Sequence, residues 1–438
     1  MLNIFIQGLW IIATIMIFIC GIYFSFKLNF VHLNIKQMLK EITKKNNKKD
    51  SISAFQSLAM SLAGRIGVGS LAGVALAVYL GGPGVLFWMW FTSLFCATDT
   101  FAETVLAFVF RKHDTGNIFR GGPFYYIKEG LGKKRLAILY ALLIIVSYNC
   151  GFMTIQANTM TRCITDMYNI NPIIIGVVIA ILTAITIFGG VKKIASTTAK
   201  LVPFMSALYI SICLYIIAIN YELVPKIIAE VISTAFNFRA FGFGALSTLL
   251  IGMQKGIFSS EVGLGTGSIV AVTADSESSA GNGLVQTFGI HFENILIATI
   301  TTLVICMSDY QSLILSDPNG IEITLNAFKY HMGNLGPIIV TIVITLFGLS
   351  TVLTGYYYGE SSLKFIKKTN KLDIALLKIV TILVLVFGSI ISSESLWNIT
   401  DIMVGIIAVI NVYAIFKLRN IVMEEYKYWR RHWFKKIY

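Results

Sequence analysis

Long apolar runs dominate the chain, with none of the strict alternation that half-buried strands show. A helix needs about 20 apolar residues to cross the roughly 30 Å hydrocarbon core of a bilayer. Eleven segments meet this requirement, near residues 6–26, 52–79, 84–110, 136–160, 172–190, 200–219, 242–273, 283–307, 336–363, 374–392 and 398–416. The pattern therefore predicts an all-α integral membrane protein with eleven transmembrane helices, the first of them retained rather than cleaved as a signal peptide.

Composition supports this prediction and excludes other classes of protein. Of the 438 residues, 56% are apolar and 13% are charged, whereas about a quarter of the residues of a soluble domain are charged. The six cysteines show no CxxC spacing and most lie inside apolar runs. They indicate neither a disulfide framework nor a metal site.

The distribution of basic residues predicts the orientation in the membrane. With the N-terminus outside, the cytoplasmic stretches carry 28 of the 35 Lys and Arg residues, and the outside loops carry four. This bias follows the positive-inside rule, which places the C-terminus in the cytoplasm. The basic tail, residues 417–438, is typical of a segment that binds anionic lipid. No nucleic-acid-binding motif accompanies the charge, so nucleic acid is not an expected partner.

A short internal repetition divides the chain into two halves. Residues 67–75 read GVGSLAGVA and residues 265–273 read GTGSIVAVT, a shift of 198 positions. Five predicted helices separate the two copies. This spacing predicts two five-helix repeats, preceded by one extra helix with a basic loop and followed by the tail. The predicted boundaries are 1–51, 52–223, 224–416 and 417–438.

Both copies lie in apolar segments that glycine and hydroxyl residues interrupt. Single glycines such as Gly73 and Gly81 have a simpler explanation, because small residues let helices pack closely. Where a helix is broken inside the membrane, however, its free N–H and C=O groups must face protein or a polar cavity. Two breaks at equivalent places in two repeats indicate a secondary transporter with its binding site near the midplane.

Ionisable residues inside the predicted spans point to the same region. Arg65 and Glu261 lie next to the two breaks, and Asp99, Glu103 and Glu293 lie in flanking segments. A charge facing lipid at this depth costs at least about 2.5–3.5 kcal/mol, so these groups should face the interior of the bundle. Arg65 and Glu261 are expected either to form a structural ion pair or to contact substrate or ion directly.

A series of motifs in order resembles the alanine/glycine:cation symporters, which are also called sodium:alanine symporters. The motifs cover about residues 10–420 and read SLAGRIGVGSLAGVA from Ser61, GGPGVLFWMW from Gly81, FAETVLAFVFR from Phe101, GGPFYYI from Gly121, QAN from Gln156, GIFSSEVGLG from Gly256 and LSTVLTGYYYGE from Leu349. The resemblance implies a LeuT-type bundle of two inverted five-helix repeats. It further implies import of a small neutral amino acid, alanine or glycine, by alternating access at a prokaryotic plasma membrane.

The resemblance also assigns residues to the substrate. The substrate carboxylate should meet backbone amides at Gly67, Gly69 and Ser70. Its amino group should meet carbonyls and hydroxyls of the second break, and a glutamine should line the pocket. The residues so implied are Ser259, Ser260, Gly263 and Gln156.

The coupling ion implied by the resemblance is Na⁺, with H⁺ as an alternative, and no organic cofactor is expected. The Na⁺ ligands would be the carbonyls of Ala63, Ile66 and Phe347 with the hydroxyls of Ser350 and Thr351. A hard cation prefers such oxygen ligands. Either hydroxyl can instead bond a carbonyl of the preceding turn of its own helix, as Ser and Thr often do.

The sequence departs from the family pattern around the implied substrate site. Val68 and Ser70 stand where the family has threonine and asparagine, and Ser260 replaces another asparagine. Gly355 stands where a tryptophan is usual, which predicts a wider pocket. These changes leave alanine or glycine as the expected substrate and keep a larger neutral amino acid such as glutamine as the alternative.

Three other functions were weighed against symport. A channel would show charge rings or a filter loop, and an intramembrane enzyme would need a nucleophile and base, but His291 is the one histidine inside a predicted span. Neither is expected. A sensor that binds an amino acid without transporting it stays open. No obligate protein partner is expected.

Overall fold

The computed structural model describes residues 2–44, 51–114, 118–236, 244–276, 278–313, 320–391 and 394–434. Helices form almost all of this part of the chain, and the only strands in it are β1 (Lys112–His113) and β2 (Phe119–Arg120), which pair antiparallel. The α-helices are α1 (Leu2–Lys27), α2 (Ile35–Ile42), α3 (Ala54–Arg65), α4 (Val74–Gly81), α5 (Val85–Val109), α6 (Pro123–Glu129), α7 (Lys134–Val146), α8 (Met153–Tyr168), α9 (Pro172–Ile187), α10 (Gly190–Ile219), α11 (Val224–Ala235), α12 (Gly244–Ser260), α13 (Thr266–Ala271), α14 (Ser279–His291), α15 (Ala298–Cys306), α16 (Gly320–Met332), α17 (Leu335–Ile366), α18 (Lys371–Gly388), α19 (Glu394–Lys417) and α20 (Arg419–Phe434). Short 3₁₀ turns lie at Val31–Leu33, Tyr221–Leu223 and Tyr310–Ser312, and π-helical segments at Gly69–Gly73, Ser147–Phe152 and Phe292–Ile297.

Each of the eleven predicted apolar segments coincides with a helix or a pair of helices, except that residues 242–243 and 392 lie outside the described ranges. The count of eleven spans is not confirmed. Within the described chain, seven helices are long and apolar enough to cross a membrane, and the bent pair α3–α4 makes eight. α9 is apolar but shorter, because it ends at Ile187. The all-helical, multi-pass architecture predicted from the sequence is confirmed.

Local signals explain where several helices begin. Ser53 and Gln56 form a capping box at the start of α3, and Asn370 and Asp373 form another at the start of α18. Such reciprocal bonds satisfy two backbone donors that have no partner within the helix. Pro172 begins α9, where its missing N–H is not needed.

The two broken helices form the centre of the bundle. α3 contacts α10, α13, α14 and α17, while α12 packs on α5. The ends of the two broken helices also meet, because Ile52 and Ala274 form a parallel bridge and the N–H of Asp275 donates to the carbonyl of Ile52 at 2.9 Å. The sequence copies at 67–75 and 265–273 therefore belong to neighbouring elements.

The extra N-terminal helix is an integral part of the bundle. α1 packs between α5 and α19, and Thr98 donates to the carbonyl of Gly21 at 2.9 Å. A side chain at Gly21 would collide with the backbone of Cys96 at 2.8 Å. The two helices therefore approach each other closely at this glycine, as small residues allow in membranes.

Candidate functional site

The first break lies between the end of α3 at Arg65 and the π-helical segment that begins at Gly69, and the two arms of this helix are bent by 54°. A Cβ atom on Gly67 would lie 2.5 Å from the Thr351 hydroxyl and 3.3 Å from the amide nitrogen of Gln156. The close approach of α17 and α8 therefore requires glycine at this position. The freed N–H of Val68 donates to Oε1 of Gln156 at 3.2 Å.

The second break follows α12 and unwinds the backbone. Glu261, Gly263 and Gly265 have positive φ angles of 55°, 76° and 83°, which glycine adopts readily and glutamate rarely. Protein groups satisfy the free backbone atoms, as the membrane interior requires. The N–H of Gly265 donates to the Glu103 carboxylate at 3.0 Å, and Asn411 donates to the carbonyl of Gly263 at 2.9 Å.

Four of the five predicted Na⁺ ligands are brought together between α3 and α17. The Thr351 hydroxyl lies 3.0 Å from the carbonyls of both Ala63 and Phe347. Ser350 lies 2.8 Å from the carbonyl of Phe347 and 3.4 Å from that of Ala63. Ile66, the fifth, is fully buried just after the end of α3. Both hydroxyls therefore contact the carbonyl of Phe347 in their own helix, which was the alternative left open by the sequence, and also the carbonyl of Ala63 in α3.

This group of atoms fits a sodium ion by its chemistry. All of its candidate ligands are neutral carbonyl or hydroxyl oxygens, which a hard cation prefers. Both hydroxyls are buried and come from successive residues of one helix, while the carbonyl of Ala63 comes from the end of the broken one. An ion bound here would join the two elements.

A small cavity lies beside this cluster, between the two breaks. It is lined by Gly64, Arg65, Gly67, Gly69, Tyr148, Phe152, Gln156, Phe258, Ser259, Glu261, Thr351 and Trp397. Its volume is about 20 Å³, which is room for about one water molecule. In this structure the cavity is therefore too small to hold an amino acid, and this contracted state is called the closed form.

Four predicted substrate residues line this cavity, namely Gly67, Gly69, Gln156 and Ser259, and four do not. The hydroxyl of Ser70 donates to the carbonyl of Arg65, and that of Ser260 to the carbonyl of Gly256. A Cβ atom on Gly263 would point at Ile17 of α1. The nearest atoms to a Cβ on Gly355 are Met153 at 3.7 Å and the carbonyl of Tyr148 at 3.9 Å. In this form Gly355 therefore lies behind the wall of the cavity.

Aromatic side chains that the sequence did not single out form one side of the cavity. The rings of Tyr148 and Phe152 stack at 4.8 Å between centroids. Phe152 lies 5.4 Å from Phe258, and Phe258 lies 6.3 Å from Trp397 of α19. Phe258 falls inside a recognised motif, but Trp397 comes from a segment that is only apolar in sequence. No local signal could have placed it here.

The predicted ion pair between Arg65 and Glu261 is not formed, although both side chains line the cavity. The Arg65 guanidinium donates instead to the carbonyl of Gln286 at 3.2 Å. Glu261 accepts hydroxyl hydrogen bonds from Tyr148 at 2.8 Å, Thr266 at 2.8 Å and Tyr358 at 3.2 Å. Three neutral donors thus stabilise the carboxylate at the second break in place of the guanidinium, and the alternative role, direct contact with substrate or ion, stays a prediction.

A separate charged cluster ties the loop that carries β1 and β2 to the end of α17. Arg120 is buried and bonds both Asp114 and, at 2.8 Å, Glu360. Lys364 lies 3.3 Å from each of the same two carboxylates. Burial alone lowers the pKa of Arg120, but the charges of Tyr357, Glu360 and Asp114 outweigh it and raise this pKa above its ordinary value.

Comparisons with known proteins agree with these features. The model of the sodium:alanine symporter family matches residues 1–436. The chain is 34% identical to amino-acid carrier protein AlsT of Bacillus subtilis, a match that covers 93% of this chain and 87% of that protein. It is 35% identical to the sodium/alanine symporter AgcS of Methanococcus maripaludis (93% and 91% covered) and 34% identical to the probable sodium/glutamine symporter GlnT of Bacillus subtilis (94% and 86%).

Solved structures support the LeuT-type fold. The crystal structure of MhsT in complex with L-phenylalanine superposes with a TM-score of 0.60 at 13% identity, covering 87% of this chain and 93% of that one. A Na⁺-coupled sialic acid symporter in a substrate-bound outward-open state gives 0.58 at 14% identity, covering 92% and 84%. At such low identity these likenesses concern the fold alone. The family match over nearly the full length decides the assignment: the chain belongs to the sodium:alanine symporter family.

Proposed function

We propose that this protein imports alanine or glycine together with Na⁺ by alternating access. Membership of a family of sodium-coupled transporters confirms the prediction of a symporter rather than an enzyme. The substrate is the proposed part. It is supported by the AgcS relative, described as a sodium/alanine symporter, and by four predicted substrate residues that line one cavity between the two breaks.

The observation that carries the proposal is the oxygen cluster that bridges α3 and α17. The carbonyl of Ala63 lies within 3.4 Å of both the Ser350 and Thr351 hydroxyls. Na⁺ bound by these atoms, with the carbonyls of Ile66 and Phe347, holds the broken helix against α17. The N–H groups near Gly67 and Gly69, which line the adjacent cavity, then meet the substrate carboxylate. Each ligand raises the affinity for the other, because coupling between binding sites is reciprocal.

The transport cycle follows from the closed cavity. Its volume of about 20 Å³ means that the two breaks must separate before an amino acid can enter. In the proposed cycle the bundle that contains the broken helices rocks relative to the scaffold formed by the other helices, opening the central site first outward and then inward. The N-terminus lies outside and the tail in the cytoplasm of a prokaryotic cell, in accordance with the positive-inside rule.

Two helices of the proposed cytoplasmic side suit contact with anionic lipid. α2 exposes Ile35 and Leu39 beside Lys36 and Lys40, and α20 belongs to the basic tail. Amphipathic basic helices of this kind lie in the interface, with apolar residues among the acyl chains and lysines at the headgroups. No protein partner forms part of the proposal.

Glutamine is the second candidate substrate. It is favoured by the GlnT relative, described as a probable sodium/glutamine symporter, and by Gly355, which stands where the family has a tryptophan and whose Cβ position has only ordinary contacts at 3.7 Å or more. Because glycine replaces the usual tryptophan at position 355, the segment around Tyr148 has room to move outward when the substrate has a longer side chain.

The decisive experiment is competitive uptake in proteoliposomes with an inward Na⁺ gradient. Sodium-dependent uptake of labelled alanine or glycine supports the first substrate, and preferential uptake of glutamine supports the second. Acidification of the vesicle interior during uptake would show that H⁺ is transported together with Na⁺ as a second coupling ion. Binding of either amino acid without any uptake would contradict symport and indicate a sensor.

A further inference from the structure

The guanidinium of Arg65 occupies a slot between α13, which belongs to the second broken helix, and α14. A Cβ atom on Gly267 of α13 or on Gly289 of α14 would collide with its Nη2 or Nη1 atom. The Nη1 atom donates to the carbonyl of Gln286, and only 3% of the residue is exposed. Because both positions are glycines, the positively charged guanidinium fits between the two helices in the interior of the bundle.

Three carboxylates act electrostatically on this guanidinium, those of Glu103, Glu261 and Glu293. With all three ionised, the group would have two negative charges in excess, in an interior where even a balanced ion pair is costly. A positive charge must therefore join the group in the closed form. A metal cation is disfavoured beside the guanidinium, because the two positive charges repel each other. A proton bound to one carboxylate avoids this repulsion and leaves one negative charge in excess, with the other two carboxylates stabilised by donated hydrogen bonds.

Hydrogen bonding identifies the carboxylate that takes the proton. Glu261 accepts three hydroxyl groups, and Glu103 accepts the N–H of Gly265 and the amide of Asn411 at 2.7 Å. Glu293 is fully buried, and neither of its oxygens has a hydrogen-bond partner in the described part of the chain. An ionised carboxylate without donors is the most costly of the three, so the proton belongs on Glu293.

Other unpartnered polar atoms surround the same slot. They are Nε and Nη2 of Arg65, the side-chain amide of Gln286 and the hydroxyl of Ser61, all buried. The hydroxyl of Ser70 lies beside Glu293 but donates its hydrogen to the carbonyl of Arg65 at 3.2 Å, so this hydrogen is not available to the carboxylate.

The remaining titratable groups near Glu293 are held by other partners. Tyr209 of α10 bonds Thr301 at 2.7 Å, and His291 links Ser93 to the carbonyl of His32. On α5, Asp99 lies beside Cys20, and on α12 Lys255 lies over the ring of Phe258. Arg65, which lines the cavity, is therefore the cation that acts on Glu293, in addition to the desolvation that burial imposes on this carboxylate.

We propose that Glu293 is the proton-binding group of the transport cycle, neutral while the central cavity is closed and ionised, with Arg65 as its partner, when the cavity opens to water. This inference rests on the proposed function, because the proton is taken up when the two breaks close together during the transport cycle and released when they separate.

Calorimetry on the purified, full-length protein tests this directly. Titration with L-alanine, or with L-glutamine if uptake selects it, in Na⁺ buffers of different ionisation enthalpy measures the protons taken up per substrate bound. We expect about one proton for the wild type at a pH where the open form is ionised. Glu293→Gln should keep Na⁺-dependent binding while its proton uptake falls to about zero. Equal uptake in Glu293→Gln, or no uptake by the wild type from about pH 6 to about pH 9, would overturn the proposal.

Two further variants complete the test. Asp99→Asn removes another buried carboxylate without a hydrogen-bond partner, one that is not among the acidic groups acting on Arg65, and should leave proton uptake unchanged. Loss of uptake in that variant alone would overturn the assignment to Glu293. Glu293→Asp keeps an acid if the glutamine variant does not fold, and it should shift the pH of half-maximal uptake. An unshifted profile would contradict the proposal. Absence of any amino-acid binding would instead contradict the proposed function.

Discussion

The Thr351 hydroxyl lies 3.0 Å from the carbonyl oxygen of Ala63, a residue 288 positions earlier in the chain. This contact joins the end of α3, where the first break begins, to the middle of α17. The same hydroxyl stands 2.5 Å from the position that a Cβ on Gly67 would take. One side chain of α17 thus touches both the proposed ion site and the backbone of the proposed substrate site, which gives sodium a direct route to influence substrate affinity.

Removing the two hydroxyls should weaken sodium activation. Ser350→Ala with Thr351→Ala removes two of the five proposed Na⁺ ligands, and the loss of a buried polar partner costs about 1–3 kcal/mol. We expect the Na⁺ concentration for half-maximal uptake to rise about tenfold or more. Thr345→Ala is the matched control, because Thr345 on the same helix bonds only to the carbonyl of Thr341 in its own helix. Unchanged sodium activation in the double variant would rule out this ion site.

A methyl group at the first break should abolish transport. In Gly67→Ala the new Cβ collides with the Thr351 hydroxyl and approaches Gln156, and overpacking of this kind costs about 1–3 kcal/mol. Gly73→Ala, at the end of the π-helical segment, meets no atom within 4 Å and should transport normally. Uptake by Gly67→Ala at the wild-type rate, measured at equal protein amount, would show that the two helices do not close this tightly during transport.

A large ring at position 355 should narrow substrate choice. Gly355→Trp fills the space beside Met153 and pushes the Tyr148–Phe152 segment toward the cavity. We expect the ratio of alanine uptake to glutamine uptake to rise about tenfold, within the range known for pockets that exclude extra methylene groups. Gly355→Ala, whose Cβ makes only ordinary contacts at 3.7 Å or more, should leave the ratio unchanged. An equal ratio of alanine uptake to glutamine uptake in Gly355→Trp and Gly355→Ala would show that other residues determine the substrate selectivity.

The charged cluster at the end of α17 should contribute to stability. Glu360→Gln removes a carboxylate that both Arg120 and Lys364 contact. Since breaking a buried pair leaves an uncompensated charge, we expect a loss of about 3–5 kcal/mol, seen as a lower melting temperature in detergent. The half-exposed pair of Lys128 and Glu129 is the control, because such surface pairs contribute under about 1 kcal/mol. Equal melting temperatures for Glu360→Gln and Lys128→Ala would contradict this role.

Local sequence features were enough to locate both breaks. Glycines at 67 and 69, and at 263 and 265, interrupt otherwise apolar runs, and backbone conformation responds to glycine within a few residues. The pair Ser350 and Thr351 was assigned through the resemblance to the family, and adjacent hydroxyls beside carbonyls suit a hard cation. The order of the motifs also pointed to the family, which the comparison over residues 1–436 confirms.

Contacts between distant helices could not be predicted in the same way. The sequence left two roles open for Arg65 and Glu261, an ion pair or direct contact with substrate or ion, and the fold gives Glu261 three hydroxyl donors from Tyr148, Thr266 and Tyr358. It predicted that Gly355 widens the pocket, and in the structure the nearest neighbours of that position are Met153 and Tyr148. In both cases the outcome depends on the rotation of one helix against another, which no local pattern encodes.

The sequence by itself determined that this chain is a multi-pass helical bundle with two broken helices and glycines where the backbone must open. Those properties follow from transfer of apolar side chains into lipid and from the backbone freedom of glycine, and both act along the chain. Only the tertiary structure decided that Trp397 lines the cavity, that the cavity is closed, and that Glu293 is left without a hydrogen-bond partner in the described part of the chain. Packing between helices sets these features, because it chooses which buried polar groups meet and which are left alone.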